Sequence, residues 1–435
     1  MRVAWFSPLP PVRSGIAAYS AEVLPLLEAH GTIERFAESN AHDFVWKARR
    51  NPYDLVVYQL GNAPCHDYMW AYLAAYPGLA VLHDARLHHA RARNLLSQRR
   101  FDDYRRELHF DHPDAPPGFA EYAVEGLGGS IYYFWSMLRV VMRTARTIAV
   151  HNARVAEELR EQYPDVAVDV IRMGVPASDL AGEARTAARR ALALPDEAIV
   201  FAAFGKVTAE KRIAPMLRAI GALAAEGRDV RLLLVGDAGG YETLGADIAR
   251  HGVADRVHVT GHVADEAIGS QLAAADVCLC LRWPTAQETS ASWLRCLASA
   301  RPTVISDLAH LVDIPTLDPR DRRASPRSAD PVAIAIDLLD EDASLLLAMR
   351  RLADEGRLRD DLARAGHTYW AANHTLDAMA ADYQRVMALA AARPAPLVAD
   401  LPAHLLEDYT EPARRIARQF GLALDILGPQ SALQS

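Results

Sequence analysis

Short apolar runs alternate with longer amphipathic stretches along the chain, and the alternation occurs in two successive sets. In the first half the apolar runs are Val3–Ser7, Asp54–Leu60, Leu79–His83, Thr147–His151 and Val166–Ile171. In the second half they are Ala198–Phe204, Val230–Val235, Val257–Thr260, Ala275–Leu281 and Thr303–Ser306. The stretches with helical spacing include Ile16–His30, Val155–Gln162, Ile213–Gly227, Glu266–Ala274 and Ser290–Ala300. This pattern predicts an α/β protein with two parallel sheets, each covered by helices on both faces.

The two sets predict two Rossmann-like domains and a C-terminal extension. Residues 1–180 form the first predicted domain, with a helical insertion at about 95–138, and residues 181–370 form the second. Residues 371–435 are expected to add helices and a tail that pack back on the first domain. Because parallel sheets bind ligands at the carboxyl ends of their strands, we expect the site in a cleft between the two domains.

Composition narrows the class of protein. The 435 residues carry a net charge of −8, with 51% hydrophobic and 23% charged residues, which describes an ordinary globular protein and argues against a nucleic-acid binder. Four cysteines are too few for a disulfide scaffold, and the N-terminus has no signal-peptide pattern. No uncharged apolar run reaches 18 residues. We therefore expect a cytoplasmic location.

Several common site motifs are absent from the sequence. No strand is followed by Gly-x-Gly-x-x-Gly, and the chain has neither a Walker lysine loop nor a Gly-x-Ser-x-Gly elbow. A dinucleotide dehydrogenase is therefore disfavoured. The first strand instead runs into a Pro-rich turn that ends in Ser14-Gly15 before a helix. The free amides of such a helix start suit a phosphate or a sugar oxygen, but taken by itself the turn is better explained as a simple helix cap by Ser14.

Lysine is scarce, and its placement is informative. Only Lys47, Lys206 and Lys211 are lysines among 47 basic residues, and two of them follow the predicted strand Ala198–Phe204. Two ammonium groups at the carboxyl end of one strand are suited to a diphosphate, each close contact contributing about 4 kcal/mol before desolvation at a dielectric constant near 20. The alternative is that both are ordinary surface lysines beside a loop.

The next loops of the second domain add chemistry to the same edge. The strand Val230–Val235 ends in Gly236, where a ligand can approach the backbone. After the strand Ala275–Leu281, Glu288 precedes the hydroxyl-rich segment Thr289–Ser292 at the start of a predicted helix. A carboxylate binds hydroxyl groups, and a helix start binds phosphate. Helix capping by Thr289 or Ser290 is the simpler interpretation, but it does not explain Glu288.

Taken in order, these motifs resemble a known enzyme family. The second half contains a Gly205-Lys206…Glu210-Lys211 loop, a strand ending in Gly236-Asp237, the segment Gly261-His262-Val263, and Glu288 before a helix. The first half adds Ser7–Pro10 with Ser14-Gly15, Tyr58–Asn62, and Leu82-His83-Asp84. Over residues 1–390 the sequence is similar to the retaining GT-B glycosyltransferases of glycosyltransferase family 4. The resemblance implies a GT-B fold of two Rossmann-like domains that face an interdomain cleft.

The resemblance also implies roles for individual residues. Lys206 and Lys211 would neutralise the diphosphate, Glu288 would hold donor-sugar hydroxyls, and His83 would lie near the donor sugar; these four are the predicted catalytic residues. The remaining predicted donor-binding residues are Gly15, Gly205, Gly236, His262, Val263, Thr289, Ser290 and Ser292. The predicted acceptor-side residues are Asn62, His83 and Asp84.

The implied reaction transfers a hexose-type sugar with retention by front-face substitution, without a metal or a cofactor. The donor would be a UDP-, GDP- or dTDP-linked sugar, and the acceptor a hydroxyl of a glycan, a lipid-linked molecule or a small molecule. The one Asp-x-Asp match, Asp340–Asp342, is expected to cap a helix rather than to bind metal.

One position departs from the family pattern. The family's second glutamate, eight residues after the first, corresponds to Cys296. A thiol is a poor acceptor for a ribose diol, so a non-catalytic nucleotide-sugar-binding or scaffolding protein is the main alternative, and a sugar-nucleotide epimerase is a further one. The aromatic stretch Gly126–Leu138 leaves open either a buried packing helix or peripheral contact with the inner face of a membrane.

Overall fold

The computed structural model describes residues 1–178, 182–264, 267–326, 329–397, 400–406 and 411–422. The chain divides into two compact units. The N-terminal unit comprises Met1–Ile171, Ala286–Glu288 and the described part of Tyr383–Ser435. The C-terminal unit comprises Arg172–Thr285 and Thr289–Asp382. The expected start of a helix at Glu266, the expected boundary between the first and second domains at residues 180–181, and part of the expected tail lie outside the described residues.

The N-terminal unit is built on a six-stranded parallel sheet in the order β2-β1-β3-β4-β5-β6. Its strands are β1 (Arg2–Phe6), β2 (Thr32–Phe36), β3 (Leu55–Leu60), β4 (Leu79–Leu82), β5 (Thr147–Val150) and β6 (Val168–Val170). All six residues of β3 are buried, as expected for a central strand covered on both faces. The removal of such apolar side chains from water is the main contribution that stabilises the unit.

Nine helices of the described chain connect or follow these strands. They are α1 (Gly15–Glu28), α2 (Asp43–Arg50), α3 (Met69–Ala75), α4 (His88–Ser97), α5 (Phe101–Asp111), α6 (Phe119–Val124), α7 (Ile131–Phe134), α8 (Arg139–Thr144) and α9 (Ala153–Gln162). Five of them, α4 to α8, lie between β4 and β5, where the sequence predicts the helical insertion. Within the aromatic stretch, Met137 and Leu138 are buried, whereas Leu127 and Phe134 are exposed.

The C-terminal unit contains an eight-stranded sheet in the order β13-β12-β14-β11-β10-β7-β8-β9, parallel except for the β12–β13 pair. The strands are β7 (Ile199–Phe204), β8 (Val230–Val235), β9 (Val257–Val259), β10 (Val277–Cys280), β11 (Thr303–Ser306), β12 (Thr316–Leu317), β13 (Ala324–Ser325) and β14 (Ala333–Ile336). Its helices are α10 (Gly182–Ala191), α11 (Ile213–Ala225), α12 (Leu244–Arg250), α13 (Ile268–Ala274), α14 (Ala291–Ala298), α15 (Glu341–Asp354) and α16 (Gly356–Asn373).

The described part of the C-terminal segment belongs to the N-terminal unit from Tyr383 onward. It contains α17 (Leu376–Ala392), α18 (Ala403–Leu406) and α19 (Glu411–Gln419). Arg393 donates to Thr147 Oγ1 over 2.7 Å, and Asp400 pairs with Arg143 at 2.6 Å. These polar contacts join residues that are about 250 positions apart in the sequence.

A buried ionic group joins α4, α5 and α18. Glu107 accepts hydrogen bonds from Arg91 Nε over 2.7 Å and from His404 Nε2 over 2.7 Å, and all three side chains are buried. Burial by itself would raise the pKa of Glu107, but the charges and hydrogen bonds of Arg91 and His404 together outweigh burial and lower this pKa to about 2. Glu107 is therefore ionised inside the protein, and it holds a terminal helix against the helices between β4 and β5.

All ten strands predicted from the apolar runs are present, and within the described residues four further strands, β2, β12, β13 and β14, were not predicted. The missed β2 is an edge strand whose sequence, Thr-Ile-Glu-Arg-Phe, is half exposed and carries two charges. The missed β12 and β13 have only two residues each. Within the described ranges, no helix combines the length and the apolar character needed to cross a bilayer.

Candidate active site

The loops that follow β7, β8 and β9 meet at the carboxyl edge of the C-terminal sheet. The Val207 amide donates to the Asp237 carbonyl over 2.8 Å, and the Gly236 amide donates to Thr260 Oγ1 over 3.3 Å. These bonds join neighbouring loops at the end of a parallel sheet at which ligands bind in such folds. We refer to this set of loops, residues 205–211, 236–240 and 260–263, as the β7–β9 edge.

Gly205 and Lys211 form the centre of the β7–β9 edge. Gly205 directly follows β7 with a positive φ of 91°. Lys211 Nζ donates to the Phe204 carbonyl, which places the ammonium group over the end of the strand. A Cβ atom on Gly205 would stand 2.5 Å from Lys211 Nζ and 3.4 Å from Ser292 Oγ. The position therefore requires glycine for its conformation and for space, and a cation and a hydroxyl converge above it.

The second predicted cation lies elsewhere on the same edge. Lys206 is exposed, and its Cε lies 3.0 Å from the place that a Cβ of Gly240 would occupy. Lys206 thus extends beside the loop after β8, whereas Lys211 covers the end of β7. Gly236 has a φ of 149°, and a Cβ there would overlap the Gly205 carbonyl. The two strand ends approach each other closely because both positions lack a side chain.

His262 and Val263, both predicted donor-binding residues, follow β9 and differ in exposure. The His262 side chain is exposed. Val263 is half buried and packs against a core cluster that includes Ala202 and Val235. The structure therefore gives Val263 a packing contact and leaves the His262 ring accessible at the β7–β9 edge.

Glu288 and the start of α14 lie after β10. The Ala286 amide donates to Glu288 Oε2 over 2.9 Å, so one carboxylate oxygen is held by the segment's own backbone. Ser290 is the N-cap of α14, with its Oγ accepting from the Trp293 amide over 3.2 Å. Thr289 and Ser292 are half buried. Ser290 thus has the capping role, and Ser292 is the hydroxyl that lies near Gly205.

The thiol at the position of the second family glutamate is inside the core. Cys296 is fully buried on α14, and its Sγ lies 3.9 Å from Cys280 Sγ on β10. Cys278 belongs to the same buried cluster. Burial raises the pKa of Cys296, and its contacts with the other two thiols act in the same direction. Cys296 is therefore a neutral packing residue.

In the N-terminal unit, the turn after β1 has the geometry of a capped helix start. Ser14 is the N-cap of α1, and its Oγ accepts from the Ile16 amide over 3.2 Å. Gly15 is exposed, and a Cβ on it would meet no other atom within 4 Å. The turn is open at Gly15 and leaves room for a ligand to approach the backbone.

Asn62 and Asp84 join the loops after β3 and β4. The Asn62 amide donates to Asp84 Oδ2 over 2.8 Å. The Asn62 side chain donates to the Arg86 carbonyl over 2.7 Å and accepts from the Ala90 amide over 3.1 Å. The side chain of Asn62 is thus committed to holding the loop before α4, so its direct contribution to the site is to shape these loops.

His83 lies at the end of β4 in a buried polar chain. Its Nε2 is 2.8 Å from Gln59 Oε1, and Gln59 Nε2 donates to the Tyr383 hydroxyl over 3.0 Å. The Tyr383 hydroxyl also accepts from Tyr19 over 2.8 Å. The His83 ring lies edge-on to Tyr19 at 4.7 Å and is 4.8 Å from the His151 ring. Sequence reasoning identified His83 but not these partners.

The surroundings keep His83 uncharged. Burial lowers its pKa well below the ordinary value of 6.5, and the nearby His151 and His66 lower it further. Burial also lowers the pKa of His151 to about 4 and that of His66 to about 4. The candidate site of this unit therefore presents neutral imidazole at neutral pH.

Comparison with known proteins assigns a family model to one segment. Residues 198–340 match the family described as glycosyl transferases group 1. This segment contains the β7–β9 edge and Glu288. Alpha-D-kanosaminyltransferase from Streptomyces kanamyceticus is 31% identical over 176 residues, which cover 39% of this chain and 45% of that protein. The match thus spans less than half of the relative's length.

Solved structures match over most of the chain. Sucrose-phosphate synthase from Thermosynechococcus elongatus superposes with a TM-score of 0.62 at 14% identity, covering 89% of this chain and 98% of that chain. HepE of Anabaena in complex with UDP-glucose superposes with a TM-score of 0.61 at 14% identity, covering 89% and 100%. The chain has the GT-B fold. The two Rossmann-like domains that the sequence resemblance implies are confirmed.

The Asp-x-Asp match, Asp340–Asp342, lies at the start of α15. Asp340 occupies the N-cap position of α15 without a side-chain capping hydrogen bond. Glu341 accepts from Arg212 Nε over 2.7 Å, and Asp342 pairs with Arg218 at 2.6 Å. These carboxylates belong to the start of a helix and to its arginine contacts. In the part of the chain that the structure describes, no group of three His, Cys, Asp or Glu side chains is arranged to hold a metal ion.

Proposed function

We propose that the chain is a glycosyltransferase that moves a hexose-type sugar from a nucleotide-diphosphate sugar to an acceptor hydroxyl. The observation that carries the proposal is the position of the Lys211 ammonium over the end of β7, beside the bare backbone of Gly205 and the Ser292 hydroxyl. This group lies in the segment that matches glycosyl transferases group 1. The named activity of the kanosaminyltransferase relative supports sugar transfer as the reaction class.

Lys211 and Lys206 would act on the leaving group. When the bond between the sugar and the diphosphate breaks, negative charge grows on the diphosphate oxygens, and a fixed cation stabilises that charge most in the transition state. Lys211 is partly buried, so its attraction is screened less than that of the exposed Lys206. We therefore assign the larger part to Lys211, and we propose that these cations serve in place of a metal ion.

Glu288 and His83 would act on sugar hydroxyls. Glu288 has one carboxylate oxygen fixed by the Ala286 amide, which makes it a rigid hydrogen-bond acceptor. We propose that substitution occurs with retention, by attack of the acceptor on the same face from which the diphosphate leaves. In this scheme the acceptor O–H proton passes to a departing phosphate oxygen as the new glycosidic bond forms. The acceptor would bind at the N-terminal unit, near the loops that carry Asn62, His83 and Asp84.

A donor panel with a lysine control tests the proposal. Turnover is measured with UDP-, GDP- and dTDP-linked sugars, and the anomer of the product is read by NMR. With the active donor, Lys211→Ala is expected to lose on the order of 100-fold or more in kcat, as for removal of one electrostatic donor. Lys47→Ala is the matched control, because Lys47 lies on α2 and pairs with Glu34 at 2.7 Å. It is expected to keep turnover within about twofold, as surface ion pairs contribute little.

Three results would contradict the proposal. Unchanged turnover in Lys211→Ala would remove the proposed role of the cation. Tight binding of a nucleotide sugar by calorimetry, with neither transfer nor slow hydrolysis, would identify a non-catalytic binding protein. Conversion of the donor to an isomeric sugar nucleotide without any acceptor would identify an epimerase.

We place the proposed reaction in the cytoplasm. All four cysteines are free, and Cys278, Cys280 and Cys296 lie together without forming a disulfide. Such a thiol cluster fits a reducing compartment. Fractionation of the source cells checks this location, and recovery of the activity outside the cytoplasmic compartment would contradict it.

A further inference from the structure

A polar chain crosses the core of the N-terminal unit and ends at His83. It runs from Tyr19 on α1 through Tyr383 on α17 to Gln59 on β3 and then to His83. All four side chains are buried, and Tyr383 is 324 positions from Gln59 in the sequence. Buried polar groups are costly unless they are hydrogen-bonded, so a chain of this length through a core indicates a function beyond packing.

The chain has a defined direction of donors and acceptors. The Tyr19 hydroxyl donates to the Tyr383 hydroxyl, which also accepts from Gln59 Nε2. The Tyr383 hydroxyl in turn donates to Gln59 Oε1 over 3.3 Å, and the same Oε1 lies 2.8 Å from His83 Nε2. A carbonyl oxygen is only an acceptor, so His83 Nε2 must carry the proton. A neutral imidazole protonated at Nε2 has an unprotonated Nδ1.

We propose that Gln59, oriented by Tyr383, fixes His83 in the Nε2–H tautomer so that Nδ1 accepts a hydrogen bond from a hydroxyl group of the sugar substrate. This inference rests on the proposed glycosyltransferase function. Gln59 is a positioning residue in it, because it acts through His83. The ligand class is a neutral polyol, since an acceptor nitrogen without charge selects an O–H donor over an anion.

The groups around His83 favour the neutral ring. Two other imidazoles, His151 and His66, are close enough to lower the pKa of His83. Tyr19 and Tyr383 supply hydroxyl groups, and Asp84 is the next residue in the sequence. Burial raises the pKa of both tyrosines, so they stay protonated at neutral pH. A neutral amide at position 59 adds no charge to this set. A carboxylate there would stabilise imidazolium, which has no lone pair for a hydroxyl.

The tautomer is measured directly by NMR of the full-length protein labelled with ¹⁵N-histidine. His83→Gln identifies the His83 signals by their loss. In the unsubstituted protein, the shifts are expected to show a protonated Nε2 and an unprotonated Nδ1 between pH 6 and 8. In Gln59→Leu, the shifts are expected to move towards a mixture of tautomers. A proton found on Nδ1 in the unsubstituted protein would overturn the inference.

Kinetics with matched variants separates positioning from stability. Gln59→Leu is expected to lower kcat/KM by about tenfold, the scale of a lost positioning hydrogen bond. Tyr58→Phe is the control, because Tyr58 precedes Gln59 on β3, is equally buried, and donates to the Tyr76 carbonyl over 2.8 Å instead of joining this chain. An equal loss of kcat/KM in Tyr58→Phe would show that general destabilisation of β3, rather than the His83 tautomer, sets the rate.

The dependence of kcat/KM on pH is a further measurement, and a purely structural role of Gln59 would not change it. The unsubstituted protein is expected to show no loss of kcat/KM from His83 between pH 8 and 6. In Gln59→Glu, the adjacent carboxylate is expected to raise the His83 pKa and to produce a new loss of kcat/KM as the pH falls through that range. A flat profile in Gln59→Glu would contradict the inference. Because the NMR assignment needs no turnover, absence of sugar transfer would refute the proposed function and leave the tautomer result to stand separately.

Discussion

Gly205 is the residue at which backbone conformation and chemistry depend on each other most directly. Its φ of 91° disfavours any side chain, and a Cβ would stand 2.5 Å from Lys211 Nζ. Gly205→Ala is expected to displace the ammonium from the end of β7 and to lower kcat at least tenfold. It is also expected to destabilise the protein by about 1–2 kcal/mol through the positive φ. Turnover and urea unfolding measure the two effects separately.

Gly227→Ala isolates the backbone contribution. Gly227 has a φ of 84°, but a Cβ there would meet no other atom within 4 Å. The variant is expected to show a similar loss of stability with unchanged kcat. If both variants lose turnover equally, the proximity of Gly205 to Lys211 is irrelevant to catalysis.

For single residues, the sequence indicated which residues lie at strand ends, but it did not indicate which side chains they contact. Gly205, Lys211 and Gly236 could be identified because each follows an apolar strand, and parallel strand ends share one edge. In the sequence, Gln59 stands out only as a polar residue within an otherwise apolar strand, and nothing indicates that it contacts His83. Tyr383 had no detectable signal, because no local pattern relates a helical tyrosine to a strand 324 positions away.

Among the elements, the attachment of α18 to α4 and α5 depends on one buried carboxylate. Glu107→Gln would leave the Arg91 guanidinium buried without its counter-charge, and we expect a loss of about 3–5 kcal/mol in unfolding free energy at pH 7. The Glu107 pKa of about 2 lies below its ordinary value of 4.5, so its stabilising contribution is complete above pH 4.5. That contribution declines as the pH falls towards 2, and the difference between the two proteins should narrow over this interval.

Glu121→Gln provides the matched control for this measurement. Glu121 on α6 makes a two-bond contact with Arg105 over 2.7 Å, but the pair is exposed. Solvent screens such a pair, so the substitution should change the urea midpoint little at any pH. A Glu107→Gln midpoint equal to that of Glu121→Gln at pH 7 would show that the buried group does not stabilise the attachment of α18.

Three of the strands that the sequence did not predict are charged or very short, namely β2, β12 and β13. The fourth, β14, is an apolar interior strand, and the edge strands β6 and β9 were predicted, so position in the sheet does not by itself decide the outcome. The interior strand β3 is buried at all six positions because both of its faces are covered, and its side chains are mainly apolar, with Gln59 as the polar exception. The edge strand β2 exposes Thr32 and Arg35, so its sequence pattern resembles a loop. The short strands β12 and β13 exist because they extend the sheet beside β14, which is a tertiary cause that local sequence does not encode.

For the whole molecule, the two halves combine a shared architecture with different chemistry. The C-terminal unit presents cations, glycines and a hydroxyl at the end of β7, which suits a charged diphosphate. The N-terminal unit presents neutral histidine in a hydrogen-bonded amide and tyrosine chain, which suits uncharged hydroxyls. The buried Cys296 is consistent with this division, because its neutral thiol packs α14 on β10 and does not face a ribose. Ribose recognition is therefore expected to come from other groups of the C-terminal unit.

This division of chemistry predicts where a nucleotide protects the backbone. Hydrogen exchange of the full chain, with and without the nucleoside diphosphate of the active donor, is expected to slow at residues 205–211, 236–240 and 260–263. The helices α4 to α6 of the N-terminal unit should exchange at unchanged rates, because no diphosphate-binding group is assigned to them. Lys211→Ala should lose most of the protection at the nucleotide concentration that protects the unsubstituted protein, whereas Lys47→Ala should keep it. Protection confined to the N-terminal unit would place the nucleotide on the wrong half of the molecule and overturn the assignment of the β7–β9 edge.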